Sequence, residues 1–159
     1  MDREDPEPLA RCPNYRVAIQ ALVASKEQRM DELTGGCLCE DVRIVASGAP
    51  YRVGICHCLD CRKHHGSLFF AAAIFPVEAV TVAGETREFK GRHFCPRCGS
   101  SVFARYDDEI EVHLGSLDAP GQLVPSYENW TVRRESWLPA FPTKRQYRHD
   151  RETSGRTEE

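Results

Sequence analysis

The chain has 159 residues, of which 41% are hydrophobic and 28% charged, and its formal net charge is -3. This composition is typical of one soluble globular domain with its own core. The negative charge disfavours a nucleic-acid partner, and no apolar run is long enough to predict a membrane span. The acidic start, MDREDPEPLA, lacks the apolar segment of a signal peptide. The chain has eight cysteines, and we predict a cytoplasmic protein in which cysteine thiols bind metal rather than form disulfides.

The first 29 residues differ in composition from the rest of the chain. They contain no glycine, are rich in charge and include one amphipathic helical pattern from about Tyr15 to Leu33, with Asn14 as its cap. Cys12 lies there alone, far from any second thiol. We predict that residues 1–29 are an N-terminal extension, either an appended helix or a segment that precedes a native start at Met30.

From Thr34 to about Leu117 the pattern is mostly β. Short runs rich in β-branched and aromatic residues are separated by Gly, Pro and Asp: VRIVA, YRVGI, LFFAAAIF, EAVTV, TREF, SVFARY and EIEVHL. Their spacing predicts a sandwich, a barrel or folded-over sheets. One helical turn is predicted at LDCRKHH, closed by Gly66. We expect a zinc-binding domain over residues 30–142 and a basic, disordered tail over residues 143–159.

Seven cysteines fall into three groups along the chain: Cys37 and Cys39, then Cys56, Cys58 and Cys61, then Cys95 and Cys98. Residues two apart in a strand point to the same face, so the first pair can hold one metal ion. The turn CPRCG lets two sulfurs converge on one Zn²⁺. The first and last groups together offer four thiolates, which predicts a closed structural site that ties distant strands together.

The middle group, CHCLDC, supplies only three thiolates. Cys56 and Cys58 share a strand face, and Cys61 returns on the first helical turn. His57 points the opposite way, whereas His64 and His65 lie near enough to compete for the fourth position or to form an ordinary solvated helix end. Three protein ligands and one exchangeable position are typical of catalytic zinc. Two purely structural zinc sites are the alternative interpretation.

The motifs GGCLC, CHCLDCRKHHGS, FCPRCGSSVF and GSLD resemble the glutathione-dependent formaldehyde-activating enzyme family, also called the centromere-protein-V-like family, over about Thr34 to Asp118. The resemblance implies a mostly β, Mss4-like (β-tent) fold of folded-over antiparallel sheets. It also implies two zinc ions, a structural one at Cys37, Cys39, Cys95 and Cys98, and an exchangeable or catalytic one at Cys56, Cys58 and Cys61. Glu40 departs from the family pattern, which usually has Gly there, and we expect its side chain to crowd the strand or alter a neighbouring pocket.

The activity that the resemblance implies is of the carbon–sulfur lyase type. It joins glutathione or another small thiol to a small aldehyde such as formaldehyde, giving S-hydroxymethylglutathione. Arg62 and Lys63, next to the cluster, are candidates to receive the carboxylates of glutathione, or are ordinary surface charges. Ser67 is a candidate to orient the aldehyde oxygen, or a capping residue. The rival hypothesis is a non-catalytic zinc-binding interaction module, which needs no open metal position.

Overall fold

The computed structural model describes residues 32–151. Within this range the chain forms eleven strands and one α-helix. The strands are β1 (Glu32–Gly36), β2 (Arg43–Ser47), β3 (Arg52–Cys56), β4 (Phe70–Pro76), β5 (Val80–Ala83), β6 (Arg87–Phe89), β7 (Arg92–Phe94), β8 (Ser101–Tyr106), β9 (Glu109–His113), β10 (Tyr127–Asn129) and β11 (Arg145–Gln146), and the helix is α1 (Leu59–His65). Each predicted run overlaps one of these strands, and the prediction of a mostly β fold is confirmed.

The strands form two sheets. The small sheet has the order β1-β2-β5 and is antiparallel throughout. The large sheet has the order β11-β10-β3-β4-β9-β8-β7-β6. All neighbouring strands in the part β3-β4-β9-β8-β7-β6 are antiparallel. At the other edge β10 pairs in parallel with β3, and β11 pairs in parallel with β10. The fold therefore agrees with the expected folded-over antiparallel sheets, with two short parallel pairings at one edge.

Alternation along the strands gives the large sheet two different faces. Residues on one face join the small sheet in a common hydrophobic core, which includes Ala73 and Phe75 of β4, Ile110 and Val112 of β9, and Ile44 and Ala46 of β2. Phe75 is fully buried, and truncating a buried Phe to Ala costs about 3–5 kcal/mol. The alternate residues Glu111 and His113 of β9 lie on the opposite face, where both cavities described below are found.

The short helix α1 is fixed by its two caps. The sulfur of Cys58 accepts a hydrogen bond from the Cys61 backbone N–H at 3.4 Å, at the N-terminus of the helix. At the C-terminus Gly66 is left-handed, with φ 59, and its N–H is bonded to the Arg62 carbonyl. None of the α1 residues is buried, so the caps rather than an apolar face define its ends. The predicted helical turn is present, and it carries Cys61 back towards Cys56.

Several predictions concern the two ends of the chain. Residues 1–29, Cys12 and most of the predicted helix lie outside the described residues, and the last two positions of that helix, Glu32 and Leu33, belong to β1. The first part of the predicted tail lies in the large sheet, where β11 pairs with β10 and the Tyr147 N–H donates to the Glu128 carbonyl at 2.8 Å. In residues 32–151 no helix has the length and apolar content needed to cross a bilayer.

Candidate metal centres and active site

The first cluster brings together four cysteines from distant parts of the chain: Cys37, Cys39, Cys95 and Cys98. All four sulfurs lie within 4.8 Å of one another, and the sulfur of Cys39 is 3.5 Å from that of Cys37 and 3.6 Å from that of Cys95. Four thiolates at 2.3 Å from a tetrahedral ion are about 3.8 Å apart. Cys37 and Cys95 are buried. This donor set and spacing suit a closed structural metal site, as predicted, but Cys37 and Cys39 lie in the turn that follows β1 rather than in a strand.

The backbone around the first cluster contributes both hydrogen bonds and an unusual conformation. The Val42 N–H donates to the sulfur of Cys37 at 3.3 Å, which partly neutralises a thiolate there. Glu40 has φ 66, in the left-handed region that favours glycine. Its side chain is exposed and lines neither cavity, so the expectation that it crowds the strand or alters a pocket is wrong. The departure from Gly costs backbone strain instead.

The second cluster consists of Cys56, Cys58 and Cys61, whose sulfurs also lie within 4.8 Å of one another. The Cys58 N–H donates to the sulfur of Cys56 at 3.4 Å, and the Cys61 N–H donates to that of Cys58 at 3.4 Å. Among residues 32–151 no fourth histidine, cysteine or carboxylate ligand atom joins this group. The cluster can therefore hold a metal ion with three protein ligands.

His57 lies between two of these cysteines but points away from the cluster into the protein. Its side chain is fully buried, and its Nε2 lies 2.7 Å from Oε1 of Glu128, which is also fully buried. Arg134 completes the arrangement by donating to both oxygens of Glu128, at 3.1 and 3.2 Å. His57 is thus an anchor for the strand that carries Cys56 rather than a member of the second cluster.

The first cavity, with a volume of about 490 Å³, contains the second cluster in its wall. Its floor is the large sheet. There Arg92 of β7 pairs with Ala104 of β8, and Ala104 pairs in turn with Glu111 of β9. Because Ala104 has only a methyl group, the long side chains of Arg92 and Glu111 can reach over it. A Cβ at Gly54 would lie 2.2 Å from the Tyr127 ring, so Gly54 leaves the space that this ring occupies.

The charges in this cavity influence one another. Burial raises the pKa of Glu111 to about 7, and negative charge at Cys61 adds to this effect. Hydrogen bonding to Cys56 lowers the pKa of Cys61 to about 6, and hydrogen bonds to Cys58 and Arg92 act in the same direction, whereas burial alone would raise it. Hydrogen bonding to Cys61 raises the pKa of Cys56.

The predicted substrate contacts lie elsewhere. Arg62 is ion-paired with Glu135 and donates to the Arg133 carbonyl at 2.9 Å, and it does not line the first cavity. Lys63 is exposed and lines neither cavity. The hydroxyl of Ser67 donates to the Phe69 carbonyl at 2.5 Å, as in a local turn, and Ser67 lines the second cavity described below. Their contact with substrate stays a prediction.

The two histidines considered as fourth ligands face a different part of the molecule. His64 Nε2 lies 2.8 Å from the Ser101 hydroxyl, and the His65 ring stacks on Phe70 at 4.4 Å. Both line a second cavity, and neither belongs to the second cluster.

Sequence reasoning missed the groups that line the first cavity beside the cysteines, namely Arg92, Tyr106 and Glu111. The only signal was the alternation in EIEVH, which places Glu111 on the face opposite the buried Ile110 and Val112. That pattern does not distinguish a solvent-facing carboxylate from one that lines a cavity. Whether Glu111 lines a cavity depends on the register of β7, β8 and β9, which is set by contacts between residues far apart in sequence.

The fold and the two cysteine clusters define a β-rich domain with two candidate metal centres, one with four ligands and one with three. The sequence model of the family "Glutathione-dependent formaldehyde-activating enzyme" matches residues 32–133. This match covers more than half of the chain, and the protein belongs to that family, as its motifs indicated. No curated protein matches the chain significantly.

Proposed function

We propose that the protein joins a small thiol of the glutathione type to a small aldehyde such as formaldehyde. The proposal rests on one observation, the incomplete ligand shell of the second cluster, whose three converging thiols form part of the wall of a cavity of about 490 Å³. This volume is in the range of small-molecule sites. The sulfur of a bound thiol could complete the shell.

Zinc is the ion that best suits both clusters. Thiolates are ligands that Zn²⁺ accepts in tetrahedral sites, closed where the role is structural and with three protein ligands where it is catalytic. Cys37, Cys39, Cys95 and Cys98 would hold the structural ion, and Cys56, Cys58 and Cys61 the second one. Zinc at the second cluster would supply the positive charge that keeps an additional thiol ionised at neutral pH.

The charged residues of the first cavity fit a substrate with two carboxylates and one ammonium group, which is the charge pattern of glutathione. Arg92 lies beside Cys61, and Arg133 is exposed at the rim, so two guanidinium groups could each receive a carboxylate. Asp60 of α1 lines the same cavity and could receive the ammonium group. In this proposal Arg92 and Arg133 are the candidates for the carboxylates, while the contact of Arg62 and Lys63 with substrate stays a prediction.

The reaction needs one proton to move from sulfur to oxygen. The thiol sulfur forms a bond to the aldehyde carbon, the carbonyl π electrons move to oxygen, and the oxygen takes a proton. Glu111, with a pKa raised to about 7, could accept the thiol proton and return it to that oxygen. The Tyr106 hydroxyl, in the wall of the same cavity, could donate a hydrogen bond to the aldehyde oxygen as negative charge develops there.

The test is the rate at which isotopically labelled formaldehyde exchanges with S-hydroxymethylglutathione at equilibrium, followed by NMR exchange spectroscopy. Because thiols add to formaldehyde unaided, the quantity of interest is the excess over the protein-free rate. The zinc-loaded protein should increase this rate. Glu111→Gln should reduce the excess roughly a hundredfold by removing the proton carrier. Arg92→Gln should raise the glutathione concentration at half-maximal rate about tenfold through the loss of one charged hydrogen bond.

Arg87→Gln is the matched control for the arginine variant, because Arg87 is exposed on β6 and lines neither cavity. It should leave both quantities unchanged. A zinc-loaded protein that gives no excess rate would refute the proposal and favour the interaction-module hypothesis. Equal effects of Arg92→Gln and Arg87→Gln would refute the role of Arg92.

A further inference from the structure

The second cavity, with a volume of about 660 Å³, contains a group of histidines that the proposed reaction does not use. His64 and His65 come from α1 and His113 from the end of β9, and Phe70 lines this cavity as well as the first. None of the cysteines of the second cluster lines it. The cavity is thus a separate space on the same face of the large sheet.

Two of the histidines are linked through one hydroxyl group. Ser101 Oγ lies 2.8 Å from His64 Nε2 and 3.2 Å from His113 Nδ1. A serine hydroxyl carries one proton, so it donates to one ring and accepts from the other. His113 is only 4% exposed, and its Nε2 is buried without a hydrogen-bond partner among the described residues. This nitrogen lacks the hydrogen bond that buried polar groups normally have, and a ligand in the cavity could supply one.

The histidine and carboxylate side chains of the cavity wall offer very little net charge to a ligand, and Cys37 of the first cluster, which also lines the cavity, is buried. Burial lowers the pKa of His113 to about 3 and that of His65 to about 4, so both rings are neutral near pH 7. No lysine or arginine lines the cavity, and its one carboxylate, Asp118, is ion-paired with Arg43. A charged ligand would therefore lose its hydration without gaining a counter-ion.

The remaining wall favours a flat ligand with a polar group. Phe69 and Phe70 supply aromatic surface. The hydroxyls of Ser100, Ser101 and Ser116 in the wall already have hydrogen-bond partners within the protein, which leaves His113 Nε2 as the unsatisfied polar atom. A metal ion is a poorer fit, because in residues 32–151 only the two cysteine clusters bring three or more ligand atoms within 4.8 Å of one another.

We propose that the second cavity binds an uncharged aromatic small molecule whose polar group hydrogen-bonds to His113 Nε2. A primary amide suits this position, because it both donates and accepts and so matches either tautomer of the ring. The proposal is independent of the thiol–aldehyde reaction, since it involves none of the cysteines of the second cluster; Phe70 is the one residue it uses that also lines the first cavity.

Three probes of one shape and different charge test this proposal: benzamide, benzoate and benzamidine. Each is titrated to millimolar concentration into the zinc-loaded full chain, and the imidazole signals are followed in long-range proton–nitrogen correlation spectra. Benzamide should shift the His113 signals in a saturable way, and an excess of glutathione should not displace it. Benzoate and benzamidine should bind at least tenfold more weakly. Absence of benzamide binding, or equal binding of a charged probe, would overturn the proposal.

Variants locate the binding. His113→Phe keeps the ring and should weaken benzamide binding about fivefold or more, the effect of one lost hydrogen bond. His149→Phe, at an exposed position that lines neither cavity, is the matched control and should have no effect. If His113→Phe fails to fold, Gly115→Leu replaces it, because a Cβ at Gly115 meets no atom within 4 Å and Gly115 lines the second cavity. Unchanged benzamide binding in the folded variant would contradict the proposed position.

Discussion

Replacing Glu128 with Gln tests the buried arrangement that holds the second cluster in place. Glu128 is fully buried on β10, where it contacts His57, the residue after β3, and Arg134 of the following segment. The substitution keeps the size of the side chain and one carbonyl oxygen, but it removes the charge and replaces the other oxygen with a donor. The Arg134 guanidinium then faces an amide instead of a carboxylate.

The expected loss of folding free energy follows from the burial of Glu128. Removing one partner of a buried ion pair costs about 3–5 kcal/mol, because the other charge is left without compensation. Arg134 is partly exposed, with 21% of its side chain accessible, so water can relieve part of this loss. We therefore expect Glu128→Gln to reduce the free energy of unfolding by about 2–4 kcal/mol. At roughly 2–8 °C per kcal/mol, the melting temperature should fall by about 10 °C.

The assay is thermal unfolding of the zinc-loaded protein, and the chain offers a matched control. Glu135 is also paired with an arginine, Arg62, but 34% of its side chain is accessible. Glu135→Gln should cost less than about 1 kcal/mol, as for other surface ion pairs. If both variants lowered the melting temperature by the same amount, burial would not be the reason that the Glu128 contacts are strong. The anchoring role of His57 would then be refuted.

Three further predictions concern strain, pH and metal. Glu40→Gly should raise the free energy of unfolding by about 0.5–1 kcal/mol in denaturant titrations, because it relieves the left-handed strain, whereas Glu40→Ala should not. Burial keeps His113 neutral in the folded protein, so its contribution to the free energy of unfolding is present above about pH 6.5 and is lost as the pH falls towards 3. Between about pH 7 and 5 the free energy of unfolding of the wild type should therefore fall by about 2 kcal/mol more than that of His113→Phe. Equal decreases in the two proteins would contradict this prediction. Cys95→Ser should abolish folding, whereas Cys58→Ser should leave a folded protein with about one zinc fewer by metal analysis. Equal loss of solubility in the two variants would contradict the division into a structural and an exchangeable site.

The sequence was sufficient for the fold class and for the composition of both clusters. Hydrophobic alternation marks strands such as β8 and β9 locally, and the spacing of cysteine pairs restricts which sulfurs can converge. β1, β7, β10 and β11 were missed: the last three are only two or three residues long and contain no β-branched residue, and β1 has Thr34 as its only one. Their pairing depends on contacts between distant parts of the chain, such as His57 with Glu128, 71 residues apart.

The candidate site could be predicted only in part for the same reason. The cysteines are close in sequence within each pair, so local geometry brings them together. Arg92 and Glu111 line the same cavity, on either side of Ala104, only because of the register of three strands. Arg62 is next to a cysteine in sequence, yet the helix directs it to Glu135. Proximity in sequence was a poor guide to which arginine lines the cavity.

The central claim is that the second cluster takes a substrate thiol as its fourth ligand. The direct measurement is the thiolate-to-metal absorption of the protein with Co²⁺ in place of zinc, titrated with glutathione and with S-methylglutathione. Glutathione should add a fourth sulfur and strengthen the absorption. S-methylglutathione keeps both carboxylates but cannot form a thiolate, and it should leave the spectrum unchanged. An unchanged spectrum in excess glutathione would show a closed metal site and contradict the account.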